Sequence, residues 1–223
     1  MPESQDAGAG ATIAGVLLAA GQGRRMGRPK ALVHARDGSS WLLATRERLL
    51  EAGCADVLTV LGAGAEEAAE LLRAGSEPSS ADGDGVWSIV AERWSDGMGE
   101  SLREGLREVA RHHYAAALIH LVDLPDVGVD VMRRMLDGEA GGGGVDEASL
   151  RRAVSADETA LRRAVYAGVP GHPVLIGRAH WEPLMASLGG DSGAKAYLQA
   201  HGAERVECGD LATGADVDTA AGV

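Results

Sequence analysis

Residues 12–30 read TIAGVLLAAGQGRRMGRPK, an apolar run that stops at a glycine and hands over to a cationic loop. The run 12–20 (TIAGVLLAA) is too short for a typical helix and apolar at every other position in both phases. That pattern suits a strand buried on both faces of a parallel sheet. The loop 21–30 (GQGRRMGRPK) carries Arg24, Arg25, Arg28 and Lys30 and no acid. Glycines let backbone N–H groups approach an anion closely, and guanidinium groups pair with phosphate oxygens through two bonds. A buried strand that ends in such a loop predicts a polyphosphate cradle at the edge of an α/β sheet.

Spacing separates this loop from two other phosphate-binding loops. A Walker loop needs Gly-Lys-Ser/Thr opening a helix, whereas Lys30 follows Pro29 and precedes Ala31. A dinucleotide fingerprint is G-x-G-x-x-G, whereas Gly21, Gly23 and Gly27 give one residue more and lead into Pro29. Lysine usage points the same way as the loop's charge: the chain has 21 cationic side chains but only two lysines, Lys30 and Lys195. A lysine kept in an arginine-rich chain marks a need for a compact point charge.

Outward from the loop, strand-like and helical runs alternate. Trp41–Ala52 and residues 65–73 and 101–111 have helical periodicity; 57–61 (VLTVL), 86–91 (VWSIVA) and 115–122 (AAALIHLV) read as strands. A second half resumes with a strand at 161–169, another around Val174, helical segments near Trp181 and Ala194, and a last strand near Arg205. The sequence therefore predicts one α/β domain over 12–223, Rossmann-like, with a mostly parallel sheet and helices on both faces. Residues 1–11, small and polar, read as a disordered arm. Residues 75–85 and 141–147 read as surface loops, the latter inside a glycine-rich insertion near 138–160.

Composition bounds the function. Of the 223 residues 45% are hydrophobic and 24% charged, with no Phe, so the core rests on Leu, Val, Ile and Ala. A net charge of −12 gives no long-range attraction to nucleic acid or to an anionic membrane. Cys54 and Cys208 lack metal-ligand spacing, and neither a leader nor an apolar run of about 18 residues occurs, so a cytoplasmic location is expected.

Residues 16–32 (VLLAAGQGRRMGRPKAL) resemble the signature of the MobA-like NTP transferases, which have a GT-A-like fold, and LAAG is similar to the molybdenum cofactor cytidylyltransferase branch. Residues 96–106 (DGMGESLREGL), 122–125 (VDLP), 171–175 (GHPVL) with 190–195 (GDSGAK), and 216–219 (DVDT) agree in order. The family usually closes with D-I-D-T-P-E-D; here the tail reads DVDTAAGV, without the terminal acid.

The resemblance implies a transfer of a nucleoside monophosphate with release of pyrophosphate, aided by Mg²⁺. Asp123 and Asp218 correspond to the metal ligands, and Arg25 and Lys30 to the groups that meet the triphosphate and the charge developing at the α-phosphorus. Leu18, Ala19, Ala20, Gly21, Gln22, Gly23 and Arg24 complete the nucleotide-binding loop, with Gly97, Met98, Gly99 and Ser101 in a second nucleotide-facing turn. Ser101 also reads as an N-cap whose capping box is closed by Glu104. His172 and Asp191 correspond to acceptor-side positions. Asp216, two residues from Asp218, points the opposite way if that segment is extended, and His120 reads as a hydrogen-bonded core residue.

The expected donor is CTP, or GTP on the same phosphate machinery. The expected acceptor is a molybdopterin-type molybdenum cofactor, with a molybdoenzyme as eventual recipient and a phospho-acid as the alternative. A non-catalytic nucleotide- or cofactor-binding chaperone is the competing class, and it has no need of two metal-binding carboxylates.

Overall fold

The computed structural model describes residues 12–75, 87–137, 157–189 and 193–218. Seven strands form one sheet: β1 (Thr12–Ala19), β2 (Asp56–Leu61), β3 (Trp87–Val90), β4 (Tyr114–Leu121), β5 (Leu161–Tyr166), β6 (Val169–Gly177) and β7 (Glu204–Glu207), in the order β3-β2-β1-β4-β6-β5-β7. β1 pairs in parallel with β2 and β4, β2 with β3, and β5 with β7. Only β6 runs against its neighbours, β4 and β5. The cationic loop thus leaves the carboxyl end of β1, an interior strand that lies beside β4.

Alternation along β1 explains why it reads as a solid apolar run. Ile13, Leu17 and Ala19 enter one core layer while Ala14, Val16 and Leu18 enter the other, all at most 6% exposed. Helices α1 (Trp41–Ala52), α2 (Ala65–Ala74) and α4 (Val129–Asp137) supply the first layer through Leu42, Leu49, Leu72, Met132 and Met135. Helices α3 (Met98–Val109), α5 (Trp181–Ser187) and α6 (Lys195–Ala200) supply the second through Leu102, Leu106, Trp181, Leu184 and Leu198. Helices therefore cover both faces. Among the described residues no helix is long and apolar enough to cross a membrane.

Two elements depart from the sequence reading. The strand expected over 161–169 breaks after Tyr166: Ala167 (φ 49°) and Gly168 (φ 81°) form a two-residue turn, and Tyr166 pairs with Val169 across a hairpin. Helix α4 has no counterpart among the expected elements. The expected loops 75–85 and 141–147 and the arm 1–11 lie almost wholly outside the described residues. The reversal of β6 matters for the site, because it brings the amino end of that strand, with His172, beside the carboxyl end of β4.

Candidate active site

The loop after β1 closes on itself before it reaches the crevice. Lys30 N donates to Gly21 O at 3.0 Å and Met26 N to Gly23 O at 2.9 Å. Gly23 sits at φ +57°, and a Cβ there would run into the Arg28 carbonyl oxygen, so both conformation and space demand glycine. The closed loop delivers the Lys30 side chain to the end of β4, where Asp123 follows the strand.

The carboxylates arrive from two directions. Asp123 is held by the turn after β4, where Val122 N donates to Leu18 O at 3.3 Å and Arg48 Nη1 to Pro125 O at 2.9 Å. The tail after β7 is then fastened to this turn: Val217 N donates to Asp123 O at 3.0 Å and Thr213 N to Asp126 Oδ2 at 2.8 Å. Further back, Gly214 (φ +63°) lies flat on the Tyr166 ring, where a Cβ has no room. One carboxylate oxygen from each of Asp123, Asp216 and Asp218 lies within 4.8 Å of the others. Asp216 therefore does not point away: residues 212–218 are not a strand, so the two-residue alternation does not apply.

Lys30 Nζ bonds both Asp123 Oδ2 and Asp218 Oδ1, the latter at 2.8 Å, and Arg25 Nη1 pairs with Asp218 Oδ2 at 2.9 Å. Burial pulls the Lys30 ammonium down, but its bonds to the two carboxylates and their charges outweigh burial and hold it above its ordinary value. The Lys30 bond, with the Lys30 and Arg25 charges, holds Asp218 below the usual carboxylate range. Arg24, by contrast, bonds only Gln22 among the described residues, at 2.7 Å.

A cavity of about 500 Å³ opens over this cluster. Its wall contains Leu18, Ala20, Gly21, Gln22, Gly23, Arg24, Arg25, Lys30, Ser101, Asp123 and Asp218, so most residues expected to bind nucleotide or metal do converge. Ala19 is fully buried in the core, and Gly97 shapes the turn into α3 without lining the cavity. Ser101 lies inside α3 and is no N-cap; Glu104 instead accepts from the Glu92 and Arg93 amides at 3.1 and 3.3 Å. Asp191 falls outside the described residues.

Sequence reasoning passed over Trp94 and Ser95, which line the cavity just before the Gly97 turn. The signal was a tryptophan in a chain only 3% aromatic, next to a motif already singled out. Gly62 makes room for it, since a Cβ there would meet Trp94 Cγ at 2.7 Å. His120 also differs from expectation: it is fully buried, and among the described residues neither ring nitrogen has a hydrogen-bond partner. Burial pushes its imidazole down to about 3.

Fold and site together define a class: an α/β domain whose ligand crevice lies at the carboxyl ends of parallel strands, roofed by a cationic glycine loop and floored by carboxylates. The model of the MobA-like NTP transferase domain matches residues 15–206, and the chain belongs to that family of nucleotidyltransferases. It is 34% identical over 210 residues to nicotine blue oxidoreductase of Paenarthrobacter nicotinovorans, covering 93% of this chain and 92% of that protein. It is also similar to Rv0371c from Mycobacterium tuberculosis H37Rv, at 28% identity, 94% coverage of both chains and a TM-score of 0.67. A complex of Rv0371c with manganese aligns at 28% identity over 88% of this chain and 87% of that one, with a TM-score of 0.59.

Proposed function

We propose that the protein transfers CMP from CTP to a phosphorylated small-molecule acceptor of the molybdopterin type and releases pyrophosphate. One observation carries this reading. The cations Arg25 and Lys30 and the carboxylates Asp123 and Asp218 meet at a single cavity, with Asp216 clustered beside the two carboxylates, although they come from distant parts of the chain. In the reaction an oxygen of the acceptor phosphate attacks the α-phosphorus, the bridging α–β P–O bond breaks, and the electron pair leaves with pyrophosphate. Anion attacks anion, so catalysis is alignment and charge neutralisation.

The donor set fits a small divalent cation, because three carboxylates offer the hard oxygens that Mg²⁺ and Mn²⁺ prefer. Asp123 and Asp218, with Asp216 beside them, would hold Mg²⁺, which supplies charge neutralisation at the phosphate oxygens. Lys30, bonded to two of these carboxylates, is within reach of the same phosphates. Arg25, exposed over three quarters of its side chain, is free to swing from Asp218 to the triphosphate. Backbone of 20–23 shapes the near wall, and Trp94 offers an aromatic surface for the base.

The relative named nicotine blue oxidoreductase favours a second reading, in which the same cavity holds a redox nucleotide and an aromatic dye is reduced. Hydride transfer has no use for three clustered carboxylates, which is why transfer of a nucleotide is preferred here. Pyrophosphate release, measured for each nucleoside triphosphate with Mg²⁺ and either a molybdopterin-type or a simple phosphorylated acceptor, tests the proposal. Release with CTP and the molybdopterin-type acceptor is expected. Silence with every triphosphate, together with dye reduction by a reduced nicotinamide dinucleotide, sinks it.

A further inference from the structure

Two consecutive arginines on β5 have opposite surroundings. Arg162 faces α4, pairs with Glu204 at 2.9 Å, its register partner on β7, and donates to the Met135 and Leu136 carbonyls. Arg163, on the other face, has Arg205 as its register partner. Two guanidinium groups therefore stand side by side on one sheet face, an arrangement that costs free energy unless an anion joins them. Neither has a carboxylate partner among the described residues; Arg163 Nε donates to Gly171 O at 3.2 Å, and Arg205 Nη2 bonds Gly168 O. Burial alone pulls the Arg163 guanidinium down.

Lys195, one of the two lysines in the chain, approaches the same place from the start of α6. Arg163, Lys195 and Leu198 form the shared wall of two adjoining cavities, of about 170 and 260 Å³. The smaller one is lined mainly by Leu18, Leu102, Ile119, Val174 and Ile176, and it shares Leu18 and Met98 with the large cavity over the carboxylates. His172 adds a polar edge that stays uncharged near neutrality, since burial pushes its imidazole down to about 4.

We propose that this cleft binds a ligand with an apolar aromatic body and an oxyanion, the body lying in the smaller cavity and the oxyanion held by Arg163 and Lys195 with Arg205 beside them. Calling that ligand the acceptor rests on the transferase reading; the binding itself does not. An acceptor held this way lies across the Leu18–Met98 wall from the nucleotide, and its attacking phosphate is a second group, distinct from the oxyanion anchored at Arg163 and Lys195.

Calorimetric titration with 1-naphthyl phosphate, beside 1-naphthol and inorganic phosphate as its separate halves, tests this on the whole protein. Naphthyl phosphate is expected to bind at least about tenfold more tightly than either half, and Lys195→Glu or Arg163→Gln to weaken it by about tenfold or more. Arg107→Glu, the same charge reversal on the exposed surface of α3, is expected to change nothing. Lys195 lies at a helix start on the surface, so its reversal reports on binding even if Arg163→Gln fails to fold. Full affinity in Lys195→Glu, absence of binding, or displacement of the probe by CTP overturns the proposal. Binding in a protein that releases no pyrophosphate supports the cleft and removes only the transferase reading.

Discussion

At the scale of single residues, the site separates groups that look equivalent in sequence. Arg24 and Arg25 carry the same charge one position apart, yet only Arg25 reaches Asp218. Arg25→Ala is expected to lower the single-turnover rate by ~10²-fold or more at saturating nucleotide, as loss of one preorganised charged donor does. Arg24→Ala should cost far less, and equal losses would reduce the loop to a diffuse positive field. The three aspartates divide similarly. Asp218 holds Lys30 and Arg25, whereas Asp216 meets the cluster without a bond to either. Asp123→Asn and Asp218→Asn should abolish turnover with the fold retained. Asp216→Asn should mainly raise the Mg²⁺ concentration needed for half-maximal rate; a mutant indistinguishable from wild type in a magnesium titration would take Asp216 out of the metal site.

At the scale of elements, the loop between β1 and Lys30 has a geometry that tolerates little change at Gly23. Gly23→Ala combines a left-handed backbone with a collision against the Arg28 carbonyl. A non-glycine residue in that conformation costs about 1–2 kcal/mol before any collision. The melting temperature should therefore fall by roughly 2–8 °C in a chain of this size. Nucleotide affinity, followed by calorimetry, should fall with it, because Lys30 N is anchored to Gly21 O by the same loop. Unchanged binding would mean that the loop does not shape the nucleotide site. This loop and the β1, β2 and β4 strands were legible because each is a local pattern: an apolar run, a glycine, a cluster of one charge. What escaped was non-local or short. α4 is nine residues long, and its buried Val131, Met132, Met135 and Leu136 make too brief a period to separate from a loop. The break at Ala167 needed knowledge that an alanine would adopt positive φ. Asp216 was misdirected because a tail fastened by Val217 to Asp123 takes its shape from its partner, not from its own sequence.

At the scale of the whole molecule, the sheet holds one fully buried and one half-buried imidazole that tie folding to pH. His120 is fully buried on β4 with both nitrogens unpartnered among the described residues, and burial, helped by the nearby His172 and Arg48 charges, pushes it from 6.5 to about 3. His172, at the amino end of β6, is pushed from 6.5 to about 4 by burial and the Arg163 charge. Both folded values lie below the unfolded one, so as pH falls through 6.5 the unfolded chain takes up protons that the folded chain refuses. Stability is then full above pH 6.5 and declines as the pH drops toward 4, by up to ~1.4 kcal/mol per pH unit for each histidine. His120→Leu removes one of these protons and also an imidazole whose polar atoms gain nothing from burial. Replacing an unsatisfied polar group by an apolar one of similar size is neutral or stabilising. The variant should therefore match or exceed wild-type stability in urea at pH 7.5 and lose less of it at pH 5. Since His120 lies on the core face of β4, opposite the face that Ile119 presents to the cleft, pyrophosphate release should be preserved. If His120→Leu instead lost several kcal/mol at neutral pH, the imidazole would have a hydrogen-bonding partner in the folded protein, and its burial would stabilise the sheet rather than sensitise it to acid.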